Sequence, residues 1–89
     1  MDHTDLYIDG SWRAGASGAR FDVINPANEQ VIASVASAEI ADADAALDAA
    51  QAAFGDWAAR KPRERAEILR KAWELMTARL DYFAHLITL

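Results

Sequence analysis

Four basic residues, Arg60, Lys61, Arg63 and Arg65, crowd around Pro62. Proline suits the first position of a helix, where its missing N–H has no partner to lose. The cluster therefore surrounds a helix N-terminus, whose free N–H groups together with positive charge would suit a phosphate or carboxylate. Glu64 and Glu67 lie close enough to neutralise part of that charge, and a solvated cluster is the plainer expectation. Asp42, Asp44 and Asp48 suggest a divalent cation. Residues two apart on a helix do not face each other, however, and no glycine-containing calcium loop surrounds these three. Attraction to the positive end of a helix dipole accounts for them. His3 and His85 have no partners at ligand spacing and are expected to be structural or solvated. Ser11, Ser17, Ser34 and Ser37 lack the context of a nucleophile elbow, and the chain has neither a phosphate loop nor GxGxxG. Trp12, Trp57 and Trp73 would suit a ligand pocket, although aromatic residues at such spacing more often fill a core. With no cysteine in the sequence, disulfides, thiolate metal sites and a cysteine nucleophile are all excluded from this chain. No complete active site is legible.

The elements that position these residues fall into two kinds. Leu6-Tyr7-Ile8 and Ser11-Trp12-Arg13 flank Asp9-Gly10, a dipeptide that tolerates the positive φ angles of a two-residue type I′ turn, so the spacing predicts a β-hairpin. Ala14 to Arg20 reads as a loop. Phe21 to Asn25 and Gln30 to Val35 are strand-like around the turn Pro26-Ala27-Asn28-Glu29, which predicts a second hairpin. From Ser37 the apolar period lengthens to that of a helix, through Ala43, Leu47, Ala50, Phe54 and Trp57. This helix is expected from Ile40 to Phe54, with either Ser37 or Asp42 as its cap and Gly55 as its stop. Asp56 to Lys61 would connect it to a long helix beginning at Pro62. There, Leu69, Trp73, Met76, Leu80, Phe83 and Ile87 recur four and three apart, opposite a stripe that includes Glu67, Lys71 and Glu74. That helix, about 40 Å long, must bury its apolar side. Its pattern runs to Leu89 with no Gly, Asn or Pro to receive a C-terminus, and the expectation is the front piece of a longer protein. The two helices are expected to form an antiparallel hairpin with Trp57 and Trp73 near the join, and residues 1–5 a disordered tail.

Composition narrows the function classes. Hydrophobic residues make up 53% of the sequence, but many are alanines, so large core-forming side chains are scarcer than that figure suggests. A chain of 89 residues buries only about 60 to 65% of its unfolded surface and would be marginally stable alone. A net charge of -5 opposes a general role on nucleic acid or anionic lipid. The opening MDHTDLYIDG has neither the basic nor the apolar region of a secretory signal, and no aliphatic run approaches a membrane span. A soluble, cytoplasmic protein is expected.

The words LYIDGSW, FDVINPANEQVIASV, DAALDAAQAAFGDWA and PRERAEILRKAWELMTARLDYFAHLITL follow one another, from about Leu6 to Leu89, in an order that resembles the opening of the NAD(P)-dependent aldehyde dehydrogenase superfamily. Within it, RERAEILRKAWELM and the NPAN turn are most similar to bacterial succinate-semialdehyde dehydrogenases. The resemblance implies an α/β parent protein in which residues 1–89 form the N-terminal part of the cofactor-binding domain, with NAD or NADP as cofactor and a homodimer or homotetramer as the assembly. It implies aldehyde oxidation through a catalytic Cys and a Glu-activated water, groups that this segment does not supply, so the chain by itself is expected to be inactive. It also implies a monovalent cation held partly by the main-chain carbonyls of Val23 and Ile24. Two positions depart from the family pattern. Asn28 stands where the turn usually has Gly, and Lys61 stands where a Ser, Thr or Asp often caps the long helix. Two alternatives remain: another aldehyde dehydrogenase subfamily, or a small interaction module that binds a partner or itself through the open face of the long helix.

Overall fold

A computed structural model describes residues 2–89, which form two two-stranded antiparallel sheets followed by three helices. The chain divides into two units, one running to Ala52 and the other from Ala53 to Leu89.

In the first unit, β1 (Leu6–Ile8) pairs with β2 (Ser11–Arg13), with Tyr7 opposite Trp12. Asp9 and Gly10 hold φ angles of 52° and 79°, as a type I′ turn requires at both central positions. The second hairpin joins β3 (Arg20–Ile24) to β4 (Val31–Ala36). Its turn is fastened by side chains, since Asn25 Oδ1 accepts the N–H of Ala27 and Asn28 Oδ1 accepts that of Gln30. Asn28 thereby spans Glu29, and it is Glu29, at φ 61°, that takes the left-handed conformation in this turn. Of the segment 1–5, Met1 lies outside the described residues. Thr4 is tied in, because its carbonyl accepts the Ala36 N–H at 2.8 Å and the Arg20 guanidinium reaches Thr4 Oγ1, Asp5 Oδ1 and the Ser34 carbonyl.

Helix α1 (Ile40–Ala59) starts where the sequence predicts, but Gly55 does not stop it. A lone helical glycine costs only about 1 kcal/mol relative to alanine, and the alanine-rich turns on either side carry the helix five residues past Phe54. Only Arg60 and Lys61 remain as the connection.

In the second unit the predicted single long helix is two, α2 (Pro62–Thr77) and α3 (Leu80–Thr88). The Thr77 hydroxyl donates back to the carbonyls of Trp73 and Glu74, a bond that bends helices. The Arg79 N–H then bonds the Met76 carbonyl three residues back, and Arg79 leaves helical geometry at φ −123°, ψ 33°. Its guanidinium lies 4.4 Å from the centroid of the Tyr82 ring and 5.4 Å from that of Phe83. Lys61 supplies no side-chain cap to α2, which starts on Pro62.

Among the described residues the buried hydrophobic core is Ile8 and Ala36. Most of the apolar stripe of α2 and α3 is open, with Leu69, Trp73 and Leu80 at 63%, 62% and 65% exposure, while Phe83 is half-buried. Trp12 and Trp57 are exposed as well, so the tryptophans expected as core residues do not form one here. Among the described residues no helix is long and apolar enough to cross a membrane.

Candidate functional site

The most highly organised polar centre is Asp42, whose residue is only 3% exposed. It occupies the third position of α1, and Glu39 stands at the position before the helix. From there Asp42 Oδ2 accepts the Glu39 N–H at 2.8 Å, the reciprocal half of a capping box. The same oxygen accepts the Ala16 N–H at 2.9 Å, across 26 residues of sequence. Arg13 Nη2 stands 3.8 Å from Oδ1. Neither of the caps foreseen from sequence applies: Ser37 does not cap α1, and Asp42 acts from inside its first turn. Glu39 adds a second tie, its Oε1 accepting the Ser17 hydroxyl at 2.9 Å.

The loop between β2 and β3 is shaped to deliver Ala16. The Gly18 N–H closes a turn on the Gly15 carbonyl at 2.9 Å, and Gly15 packs so closely on the Ser37 carbonyl that any Cβ would collide with it. The two backbone N–H groups, that of Glu39 first and that of Ala16 second, hold the Asp42 carboxyl below the ordinary carboxylate range; burial opposes them and Arg13 assists. An anion whose oxygens are committed in this way to backbone donors serves as a clamp between the loop and the start of α1. It is unsuited to proton transfer. A shallow apolar hollow of about 240 Å³ adjoins it, lined by Leu6, Ile8, Ala38, Ala43 and Ala46 among others.

The other candidates do not converge. Asp44 and Asp48 are exposed, and among the described residues no group of three or more His, Cys, Asp or Glu is placed to hold a metal. His3 stacks on Trp12 with ring centroids 4.2 Å apart and Tyr7 beside them, and His85 is exposed on α3. In the basic cluster, Arg63 pairs with Glu67 at 3.6 Å. Arg65 alone of the four is partly buried, and its Nε is enclosed with no hydrogen-bond partner among the described residues. Val23 faces Ala33 and Ile24 faces Val31, so the ladder slips at that step and Ile32 is unopposed. The carbonyls implied as cation ligands thus belong to an irregular stretch of sheet, where a bulge frees groups from regular pairing. Asp42 is the residue that sequence reasoning undervalued. The available signal was an acidic residue three places after a helix-start position, preceded by the Gly15–Gly18 loop.

Comparison with known proteins supplies what the geometry alone does not. Residues 12–89 match the model of the Aldehyde dehydrogenase family. The chain belongs to the aldehyde dehydrogenase family. An NADP-dependent enzyme of E. coli is 38% identical over 98% of this chain, with a TM-score of 0.93. The succinate-semialdehyde dehydrogenase of Burkholderia pseudomallei is 36% identical over 99% of it, with a TM-score of 0.90. An NAD-dependent benzaldehyde dehydrogenase of Corynebacterium glutamicum is 39% identical over 92%, with a TM-score of 0.83. In each case the match covers 18% of the solved chain. The hairpins and helices of this aldehyde dehydrogenase family member are therefore a familiar arrangement, and the length it spans is under a fifth of such relatives.

Proposed function

We propose that this chain is the opening part of the cofactor-binding domain of an NAD(P)-dependent aldehyde dehydrogenase, and that its role is architectural. The carrying observation is the match to the E. coli enzyme over nearly all of this chain and less than a fifth of that one. The parent enzyme converts an aldehyde and water to the carboxylic acid, with NAD or NADP accepting the hydride. Succinate semialdehyde is the substrate we favour, supported by the Burkholderia pseudomallei relative. The benzaldehyde dehydrogenase at similar identity makes aromatic aldehydes the competing class. We also assign to the Val23 and Ile24 carbonyls a monovalent cation in a homo-oligomeric enzyme, a reading that the asparagine-clasped turn and the adjoining ladder irregularity support.

The test is to isolate the native polypeptide with an antibody raised against this chain and to follow NAD(P)H formation with succinate semialdehyde, benzaldehyde and betaine aldehyde. Fastest turnover of succinate semialdehyde is expected. Faster turnover of another aldehyde would refute the substrate assignment, and no aldehyde oxidation at all would refute the enzyme reading. The open stripe of α2 and α3 favours a second reading, a self-associating interaction module, because contiguous exposed apolar surface marks an interface. That reading requires a discrete oligomer of the 89-residue species.

A further inference from the structure

Strand β4 reads Val31-Ile32-Ala33-Ser34-Val35-Ala36, with no charge, proline or glycine and with β-branched residues at Val31, Ile32 and Val35. Such segments pair readily with copies of themselves when an edge is open. One edge of β4 is taken by β3. The Ser37 N–H bonds the Ala19 carbonyl across that ladder, so the Ala36 N–H, one residue earlier, points to the outer edge. Alternate residues point alike, which sends the N–H and C=O of Ser34 the same way. Two of these outward groups are occupied. The Thr4 carbonyl accepts the Ala36 N–H at 2.8 Å, and Arg20 Nη2 donates to the Ser34 carbonyl at 2.7 Å. The same guanidinium holds the segment that delivers Thr4, through Thr4 Oγ1 at 2.9 Å and Asp5 Oδ1 at 2.7 Å. The Ser34 N–H has no hydrogen-bond partner among the described residues.

We infer that Arg20 and the strap formed by Thr4 and Asp5 guard the outer edge of β4, and that the edge they close is a pairing site for β4 of a second copy of this chain. The occupant follows from the charge of the segment. Like charges facing each other destabilise a strand pair, and an uncharged strand meets none when it lies against its own copy, in a chain whose net charge of -5 otherwise makes copies repel. A cation at a sheet edge and a segment laid along it are both means by which proteins prevent such pairing. Arg20 does more than add charge, because its planar fork binds β4 and the strap together, and bonds from a charged donor are roughly twice as strong as neutral ones. Once the guard is released, the edge presents the Ser34 N–H and C=O and the Ala36 N–H to an incoming strand. Main-chain hydrogen bonds then supply the attraction between copies.

The test compares the 89-residue chain with three variants at equal concentration. Arg20→Met releases the guard from β3, Thr4→Val combined with Asp5→Asn releases it from the strap, and Arg63→Met removes an equal charge from an exposed site. Thioflavin T fluorescence follows β-pairing, and hydrogen exchange in the assembled material reads the Ser34 amide. Loss of one hydrogen bond to a charged group raises the released population about tenfold, so both guard variants are expected to assemble at least about tenfold sooner than the unsubstituted chain or Arg63→Met. In their assemblies the Ser34 amide is expected to be protected. Adding Ser34→Pro or Ser34→Lys to Arg20→Met is expected to abolish assembly. Proline removes the outward donor without touching a ladder bond to β3, and lysines repel one another across the paired copies. Guard variants that assemble no sooner than Arg63→Met overturn the inference. So does assembly in which the Ser34 amide still exchanges freely, as it would if copies met through the open stripe of α2 and α3, and so does assembly undiminished by both Ser34 substitutions.

Discussion

Replacing Gly15 with alanine tests the clamp between the β2–β3 loop and α1 without altering any charged group. A Cβ on Gly15 would run into the Ser37 carbonyl oxygen and come within 3.2 Å of its carbon and 3.4 Å of Asp42 Oδ2. The obstacle is backbone, which cannot swing aside as a flexible side chain would. The loop must lift, and with it goes the Ala16 N–H that Asp42 accepts. Forced insertion of this kind costs about 1–3 kcal/mol. In a unit of this size each kcal/mol moves the midpoint by roughly 4–8 °C, so Gly15→Ala is expected to melt roughly 4 to 24 °C lower. Gly55 supplies a control of opposite sign. It lies inside α1 with nothing within 4 Å of an added Cβ, so Gly55→Ala is expected to gain about 0.5–1 kcal/mol. Thermal unfolding of the chain followed by far-ultraviolet circular dichroism reads both. If Gly15→Ala melts at or above the unsubstituted midpoint, the close packing of Gly15 on Ser37 is wrong, and the clamp argument fails with it.

Acid stability follows from the same carboxylate. The folded pKa of Asp42 is lowered, so its contribution is fully present above the unfolded carboxylate pKa and is lost as pH falls toward the folded one. Stability is expected to decline below about pH 5 and to decline less steeply in Asp42→Asn; equal acid limbs in the two proteins would contradict the assignment. Trp73→Ala, at a 62% exposed position, is expected to cost under about 0.5 kcal/mol in the isolated chain but about 3–5 kcal/mol when residues 1–89 replace the matching segment of the Burkholderia pseudomallei enzyme. Similar losses in both, measured by urea unfolding, would mean that nothing covers α2 in the enzyme. Glu29→Gly relieves a left-handed residue that costs roughly 1–2 kcal/mol, offset by the greater freedom of glycine when unfolded. A net gain of about 0.5–1 kcal/mol is expected in urea unfolding, and a loss would show that Glu29 makes compensating contacts.

The hairpins were legible because local chemistry decides them. Asp9-Gly10 accommodates only a few turns, and Pro26 with two asparagines leaves little choice about where the second hairpin reverses. Element boundaries governed by competition were less legible. Gly55 reads as a stop, yet its cost is small against an alanine-rich helix, and no periodicity announces the break at Ala78 and Arg79, which turns on a hydroxyl and a cation over two rings. The Asp42 clamp escaped notice because its partners lie 26 residues away in sequence or are backbone groups, which side-chain patterns do not report. The apolar stripe of α2 was plain in the sequence as a face needing cover, whereas a spacing pattern carries no record of the surface that covers it.

The central claim is that this chain is one part of an aldehyde dehydrogenase polypeptide, and the intact mass of the native species tests it most directly. Since 9.7 kDa corresponds to about 18% of the length of the solved relatives, the account predicts a native polypeptide of about 50 kDa that reacts with an antibody to this chain. A native species of 9.7 kDa in a discrete oligomer would contradict it, and would place the interaction-module reading first.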